Sequence, residues 1–198
     1  MSSEGSTDPF LTERFENALV YTTRIHAGQK RKRSNVPYIA HLLGVAGIVL
    51  EDGGDEDEAI AALLHDAVED QGGLETLEII RQRFGSRVAE IVNALTDAYS
   101  IPKPPWRERK EEYVASLLEA DPSVIRVSLA DKVYNARATL RDIRREGEPG
   151  WERFNGGKDG TLWYYQQLIQ AFSEHGKSDL LDELMRIVDE LERLAKRK

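Results

Sequence analysis

The sequence predicts an all-α fold. Apolar residues recur at three- and four-residue spacing almost throughout, no segment alternates as a half-buried strand would, and glycine or proline pairs fall at helix-length intervals. In order, Asp8-Pro9 opens a helix that runs to about His26-Ala27-Gly28, because a capping side chain precedes a proline in the first turn. A basic loop closes at Pro37-Tyr38, and a second helix covers about 40–51, ended by Gly53-Gly54. Asp55 caps a third helix, about 56–70, which stops at Gly72-Gly73. Helices at about 74–83 and 86–98 flank Phe84-Gly85. The connector SIPKPPW leads into helices at about 106–120 and 122–145, the latter begun by Asp121-Pro122. After EGEPG and NGGKDG, two more helices cover about 160–175 and 178–196. The last places Leu180, Leu181, Leu184, Ile187, Val188, Leu191 and Leu194 on one stripe, suited to packing on the domain or to a homodimer seam.

Composition limits the function. The 198 residues are 40% hydrophobic and 31% charged, which suits one globular domain able to bury a substantial core. Cysteine is absent, so disulfides and thiolate ligands are excluded, in keeping with a cytoplasmic protein. The N-terminal residues lack a signal pattern, and no apolar run approaches the ~20 residues that span a bilayer, so no membrane partner is expected. The net charge of −8 argues against nucleic acid, yet Arg24, Lys30, Arg31, Lys32 and Arg33 cluster within ten residues. That combination suits a small anion better than a polyanion.

The chemistry concentrates in ALLHDAVED. On a helix, His65 and Glu69 are four apart, Asp66 and Glu69 three, and Asp66 and Asp70 four, so all can face one pocket. Ionised groups among Ile60, Leu63, Leu64, Ala67 and Val68 persist only when paired, hydrogen-bonded or bound to metal. A straight helix, however, does not aim adjacent His65 and Asp66 at one spot without convergence from its two flanks. In SVIRVSLADKVYNARATL, Asp131 sits in an apolar run with Asn135 one turn on, where either a metal or a surface pair with Lys132 would account for it. His41 opens an apolar helix in VPYIAHLL, a place for a ligand or a core histidine. His26 is read in the same way, and His175 as a helix C-cap.

Taken together, IHAGQKRKRSNVPYIAH, LLHDAVED, FGSRV…IVNALTD and SLADKVYN resemble, in this order, the HD-domain alarmone hydrolases. These comprise the hydrolase domain of the Rel/SpoT proteins and its small stand-alone relatives. The resemblance covers about residues 10–145, leaving 146–198 as a helical extension of one HD-domain hydrolase without a synthetase domain. It implies an HD-domain bundle of about nine to ten helices and one divalent ion, usually manganese. The implied ligands are His41, His65, Asp66 and Asp131. His26 matches a recurring family position that is not a ligand.

The implied reaction is hydrolysis of guanosine 3′,5′-bisdiphosphate-type alarmones at the ribose 3′ position, giving GDP or GTP plus pyrophosphate and removing a stringent-response signal. Glu69 and Asp70 are then placed to orient water and shuttle its proton. Asn135 contacts the ribose or 3′-diphosphate, and Arg31 and Lys32 match the family's nucleotide-site pair. Leu42 follows His41 where the family usually has proline, RSNV occupies the base-facing loop, and Ala138 stands where bifunctional relatives often have threonine. These departures leave adenosine alarmones or other 3′-phosphorylated nucleotides as alternative substrates. Other HD-superfamily phosphohydrolases share H…HD…D without the VED and LADKxxN context, and a nucleotide-sensing module would lack Glu69 or Asp70.

Overall fold

Side-chain caps at Thr12, Asp55, Asp121 and Ser178 open four of the helices. The computed structural model describes residues 10–32, 34–97, 102 and 104–196. Helix α1 (Glu13–Ile25) is capped by Thr12, whose hydroxyl accepts from Arg14 N–H; the expected Asp8-Pro9 start lies outside the described residues. Helices α2 (Ile39–Glu51) and α3 (Glu56–Leu64) follow, the latter opened by a capping box between Asp55 and Glu58. The third predicted helix is interrupted: α3 stops at Leu64, His65 and Asp66 form a turn, and α4 (Ala67–Gln71) resumes. Then come α5 (Gly73–Phe84), α6 (Ser86–Leu95), α7 (Trp106–Leu117) and α8 (Pro122–Glu146). A 3₁₀ helix at Glu148–Arg153, not expected from the sequence, joins α8 to α9 (Gly157–Ser173), and α10 (Asp179–Ala195) ends the bundle. Among the described residues the sole β feature is an isolated bridge between Lys30 and Pro37, which pins the basic loop.

Helices α2, α3 and α8 form the centre, with α1, α6 and α10 packed around them. Val45, Val49, Ile60, Leu63, Leu64, Val127, Ala130 and Val133 are inaccessible to solvent and fill that centre. An ion cluster fixes its register: Arg126 of α8 donates to both oxygens of buried Glu58 at 2.8 Å and to Asp52 at 3.1 Å. One end of α3 is thereby tied to α8, and the other end carries His65 towards Asp131.

Two close approaches complete the frame. A Cβ on Gly44 would lie 2.1 Å from the Tyr134 ring, so the absence of a side chain lets α2 meet α8. A Cβ on Gly156 would lie 2.6 Å from Trp106, which seats the start of α7 on the start of α9. The leucine stripe of α10 is used within the chain, with Leu184 and Leu191 wholly buried against α8 and α9. Among the described residues no helix is long and apolar enough to cross a membrane.

Candidate metal centre and nucleotide cavity

His41, His65, Asp66 and Asp131 come from three separate places and meet at one point. His41 lies in the first turn of α2 and Asp131 midway along α8, while His65 and Asp66 occupy the turn between α3 and α4. The interruption resolves the geometric difficulty of two adjacent candidate ligands. His65 Nδ1 donates to the Ala62 carbonyl at 2.8 Å, taking the acceptor that Asp66 N–H would use in an unbroken helix. That bond also fixes the tautomer and aims Nε2 inward. His65 Nε2 then lies 3.1 Å from Asp66 Oδ2 and 3.6 Å from Asp131 Oδ1, and His41 Nε2 lies 3.5 and 3.3 Å from the same two atoms.

The surroundings hold these groups in place. Tyr38 donates to Asp66 Oδ2 at 2.6 Å, Lys132 to Asp131 Oδ2 at 2.6 Å, and Asn135 to Asp131 Oδ1 at 2.6 Å. The Asp131–Lys132 pair considered from the sequence therefore exists, but inside the site and beside the imidazoles. His41 packs edge-on to Tyr38 and His65 and against Tyr134, whose hydroxyl donates to the Ala40 carbonyl. Burial disfavours every charge here, and the partners outweigh it. The His65 imidazolium, with the other groups, holds Asp66 well below the usual carboxylate range, and Lys132 with the two imidazoles does so for Asp131. The Asp66 and Asp131 carboxylates hold His65 well above the usual histidine range against the same burial.

The donor set fits a divalent cation. His65 Nε2 is buried and makes no hydrogen bond, and one donor atom each from His41, His65 and Asp66 lie within 4.8 Å of one another. Asp131 faces the same imidazoles and completes a set of two nitrogens and two oxygens, a combination several transition metals accept.

The cluster opens into a cavity of about 530 Å³ that includes Arg31, Lys32, Glu69 and Asn135 in its wall. Arg31 donates to Asn135 Oδ1 at 2.8 Å and lies over the Tyr38 and Tyr134 rings at 5.9 and 5.8 Å. Glu69, on α4, reaches the wall one turn beyond the metal pair. Asp70 does not line it: its carboxylate is exposed and accepts from Gln29 at 2.7 Å, and Gln29 bonds His26 and Gln71. Asp70 thus braces the loop that carries Arg31. His26 is buried in that brace, and His175 caps a different helix from its own, its Nε2 bonding the Leu117 carbonyl at 2.7 Å.

Tyr38, Lys132 and Tyr134 belong to the site but escape a search for ligands. Each stands next to, or three residues from, a candidate ligand, so helix or turn adjacency was the available signal. Lys110, Tyr113 and Tyr164 also line the cavity, brought in by α7 and α9 with no local motif to mark them.

The comparisons agree with this geometry. The HD-domain family pattern matches residues 18–161. A human relative, guanosine-3′,5′-bis(diphosphate) 3′-pyrophosphohydrolase MESH1, is 39% identical over 134 residues, 66% of this chain and 70% of its own length. The like-named protein of Xenopus tropicalis is 42% identical over 129 residues, 64% of this chain and 67% of its own. A guanosine-3′,5′-bis(diphosphate) 3′-pyrophosphohydrolase of Aquifex aeolicus is 38% identical over 70% of this chain but only 19% of that longer protein. Among solved structures, one described as a metazoan ortholog of SpoT that hydrolyzes ppGpp superposes with a TM-score of 0.74 at 26% identity, covering 96% of this chain and 99% of the other. The family match and these relatives together place the chain in the HD-domain family, among proteins of the MESH1 type and the hydrolase domain of Rel/SpoT.

Proposed function

We propose that this chain hydrolyses guanosine 3′,5′-bisdiphosphate-type alarmones at the ribose 3′ position, using one divalent ion, manganese first among candidates, in the cytoplasm. The observation that carries the reading is the buried two-histidine, two-aspartate cluster opening onto a cationic cavity large enough for a nucleotide. In the reaction, water adds its oxygen to the inner phosphorus of the 3′-diphosphate as the bond from that phosphorus to ribose O3′ breaks. O3′ takes a proton, and the products are the nucleoside 5′-di- or triphosphate and pyrophosphate.

His41, His65, Asp66 and Asp131 would hold the ion, which when bound would supply positive charge at the attacked phosphate and make water easier to deprotonate. Glu69, on the cavity wall beside Asp66, accepts the proton of the attacking water. Asp70 supports it indirectly by holding Gln29 and the basic loop. Arg31 and Asn135, already hydrogen-bonded to each other, present a planar cation and an amide to the sugar and base, and Lys32 adds charge at the mouth.

The test is pyrophosphate release from guanosine and adenosine alarmones by the purified protein with Mn²⁺. Rapid release from the guanosine compound is expected; no release from either overturns the reading, and preference for the adenosine compound moves the substrate to the alternative base. Glu69→Gln is expected to keep stoichiometric metal, read by elemental analysis, while losing at least about 100-fold in kcat. Arg31→Ala is expected to raise KM with little change in kcat, as for lost ground-state binding; an unchanged KM removes the basic loop from the substrate site.

A further inference from the structure

The cavity extends past the metal cluster to α7 and α9, where it meets two lysines. Lys110 and Lys132 both line it, and their ammonium groups lie 5.9 and 4.7 Å from the centroid of the same Tyr113 ring. Their side chains are only 19% and 14% exposed. Two ammonium groups withdrawn from water this close together repel each other and lose hydration, so anions must offset them. The available carboxylates are shared. Asp97 takes Lys110 at 2.8 Å and also binds Arg109. Asp131 takes Lys132 at 2.6 Å but also faces His41 and His65. Arg109, Lys110 and Lys132 thus face two carboxylates, one of them a ligand of the proposed ion. Burial and the neighbouring Lys132 charge hold Lys110 below the usual lysine range.

Tyr164 adds a third donor. It lines the same cavity with its ring 5.2 Å from Lys110 Nζ, and its buried hydroxyl has no hydrogen-bond partner among the described residues. Burial keeps that phenol protonated well past the usual tyrosine range, so it is available to donate.

Two ammonium groups and a phenol converging beside a metal ligand match a phosphoryl dianion. We propose that Lys110, Lys132 and Tyr164 seat the outer phosphoryl group of the 3′-diphosphate, an assignment that rests on the activity proposed above. Anchoring that group fixes the inner phosphorus between the attacking water and O3′. No bond is made or broken at the seat. Both phosphoryl groups depart together as pyrophosphate, the inner one carrying the water oxygen, and the electron pair of the broken bond stays on O3′ with a proton.

Calorimetric titrations of the Mn²⁺-loaded protein with inorganic pyrophosphate and with GDP test this, in wild type, Lys110→Met and Lys110→Arg. Lys110→Met is expected to weaken pyrophosphate binding about tenfold, the loss of one charge-assisted contact, while GDP binding stays within about twofold. Lys110→Arg is expected to restore most of the pyrophosphate affinity. Unchanged pyrophosphate binding in Lys110→Met overturns the proposal, and so does an equal loss for GDP, which marks a structural role. If Lys110→Met fails to fold by circular dichroism, Tyr164→Phe is read the same way, with a selective loss of several-fold expected. Failure of wild type to release pyrophosphate from alarmones overturns the activity reading itself. Normal release combined with unselective binding losses overturns the seat alone.

Discussion

At the scale of single residues, Tyr38 shows how much of the site is support for the proposed ligands. Its hydroxyl bonds Asp66 and its ring stacks on His26, so one side chain orients a ligand and closes the loop brace. Tyr38→Phe is expected to weaken divalent-cation affinity by about 10- to 100-fold with the fold intact, measured by competition against a chelating dye. His65, Asp66 and Asp131 stood out because ionisable residues in apolar runs are costly to bury, whereas the four-residue candidate set came from the family resemblance. Tyr38 did not stand out, since a tyrosine beside a helix is unremarkable until its partner's position is known, and Lys132 was read only as a surface partner of Asp131. The cluster also implies a pH dependence. Because Asp66 and Asp131 hold the His65 imidazolium above the usual histidine range, protons compete with a cation up to a higher pH than for a free imidazole. Cation affinity is therefore expected to fall as pH drops through that raised range, with proton release on binding. Calorimetry in buffers of different ionisation enthalpy checks it, and affinity that rises as pH falls would contradict it.

At the scale of elements, helix starts were readable at the capping residues Asp55 and Asp121, and the end of α8 at Gly147, but the Thr12 cap of α1 was not read. The break at His65–Asp66 was not readable, because Ala, Leu and Val continue helical periodicity straight through it. Where α3 gives way to α4, the His65 ring takes the Ala62 carbonyl. The 3₁₀ segment Glu148–Arg153 was likewise missed, since proline and glycine there signal a turn without specifying its form. The contact of α2 with α8 depends on Gly44. Gly44→Ala forces Tyr134 aside and is expected to cost about 1–3 kcal/mol, read from denaturant unfolding, and to loosen cation binding because Tyr134 backs His41.

At the scale of the whole molecule, α8 is the common member. It carries Asp131, Lys132 and Asn135, anchors α3 through Arg126, and shares the apolar stripe of α10 with α9. Salt bridges from Arg137 to Glu183 at 2.7 Å and from Arg144 to Glu190 at 2.9 Å line the edges of that contact, but exposed pairs contribute little beside the apolar stripe. Leu184→Ala is expected to cost about 2–5 kcal/mol, seen as a lower melting temperature, while cation affinity below the transition stays that of wild type. A matching fall in affinity would mean that α10 shapes the site directly. The all-α class was legible from periodicity alone. The cavity was not, because its wall draws on α2, α4, α7, α8 and α9, and such convergence is a property of packing.

The turn at His65–Asp66 also determines which sequence changes the site can absorb. Substitutions at Ala67 or Val68 alter only packing, because those side chains face the core. A residue inserted between Asp66 and Glu69 is different in kind: it advances α4 by about 100° about its axis, swinging Glu69 off the cavity wall while the four proposed ligands stay in place. On the proposed roles, the distance in sequence from Asp66 to Glu69 is thus a phase angle, and length in this short stretch is constrained more tightly than residue type.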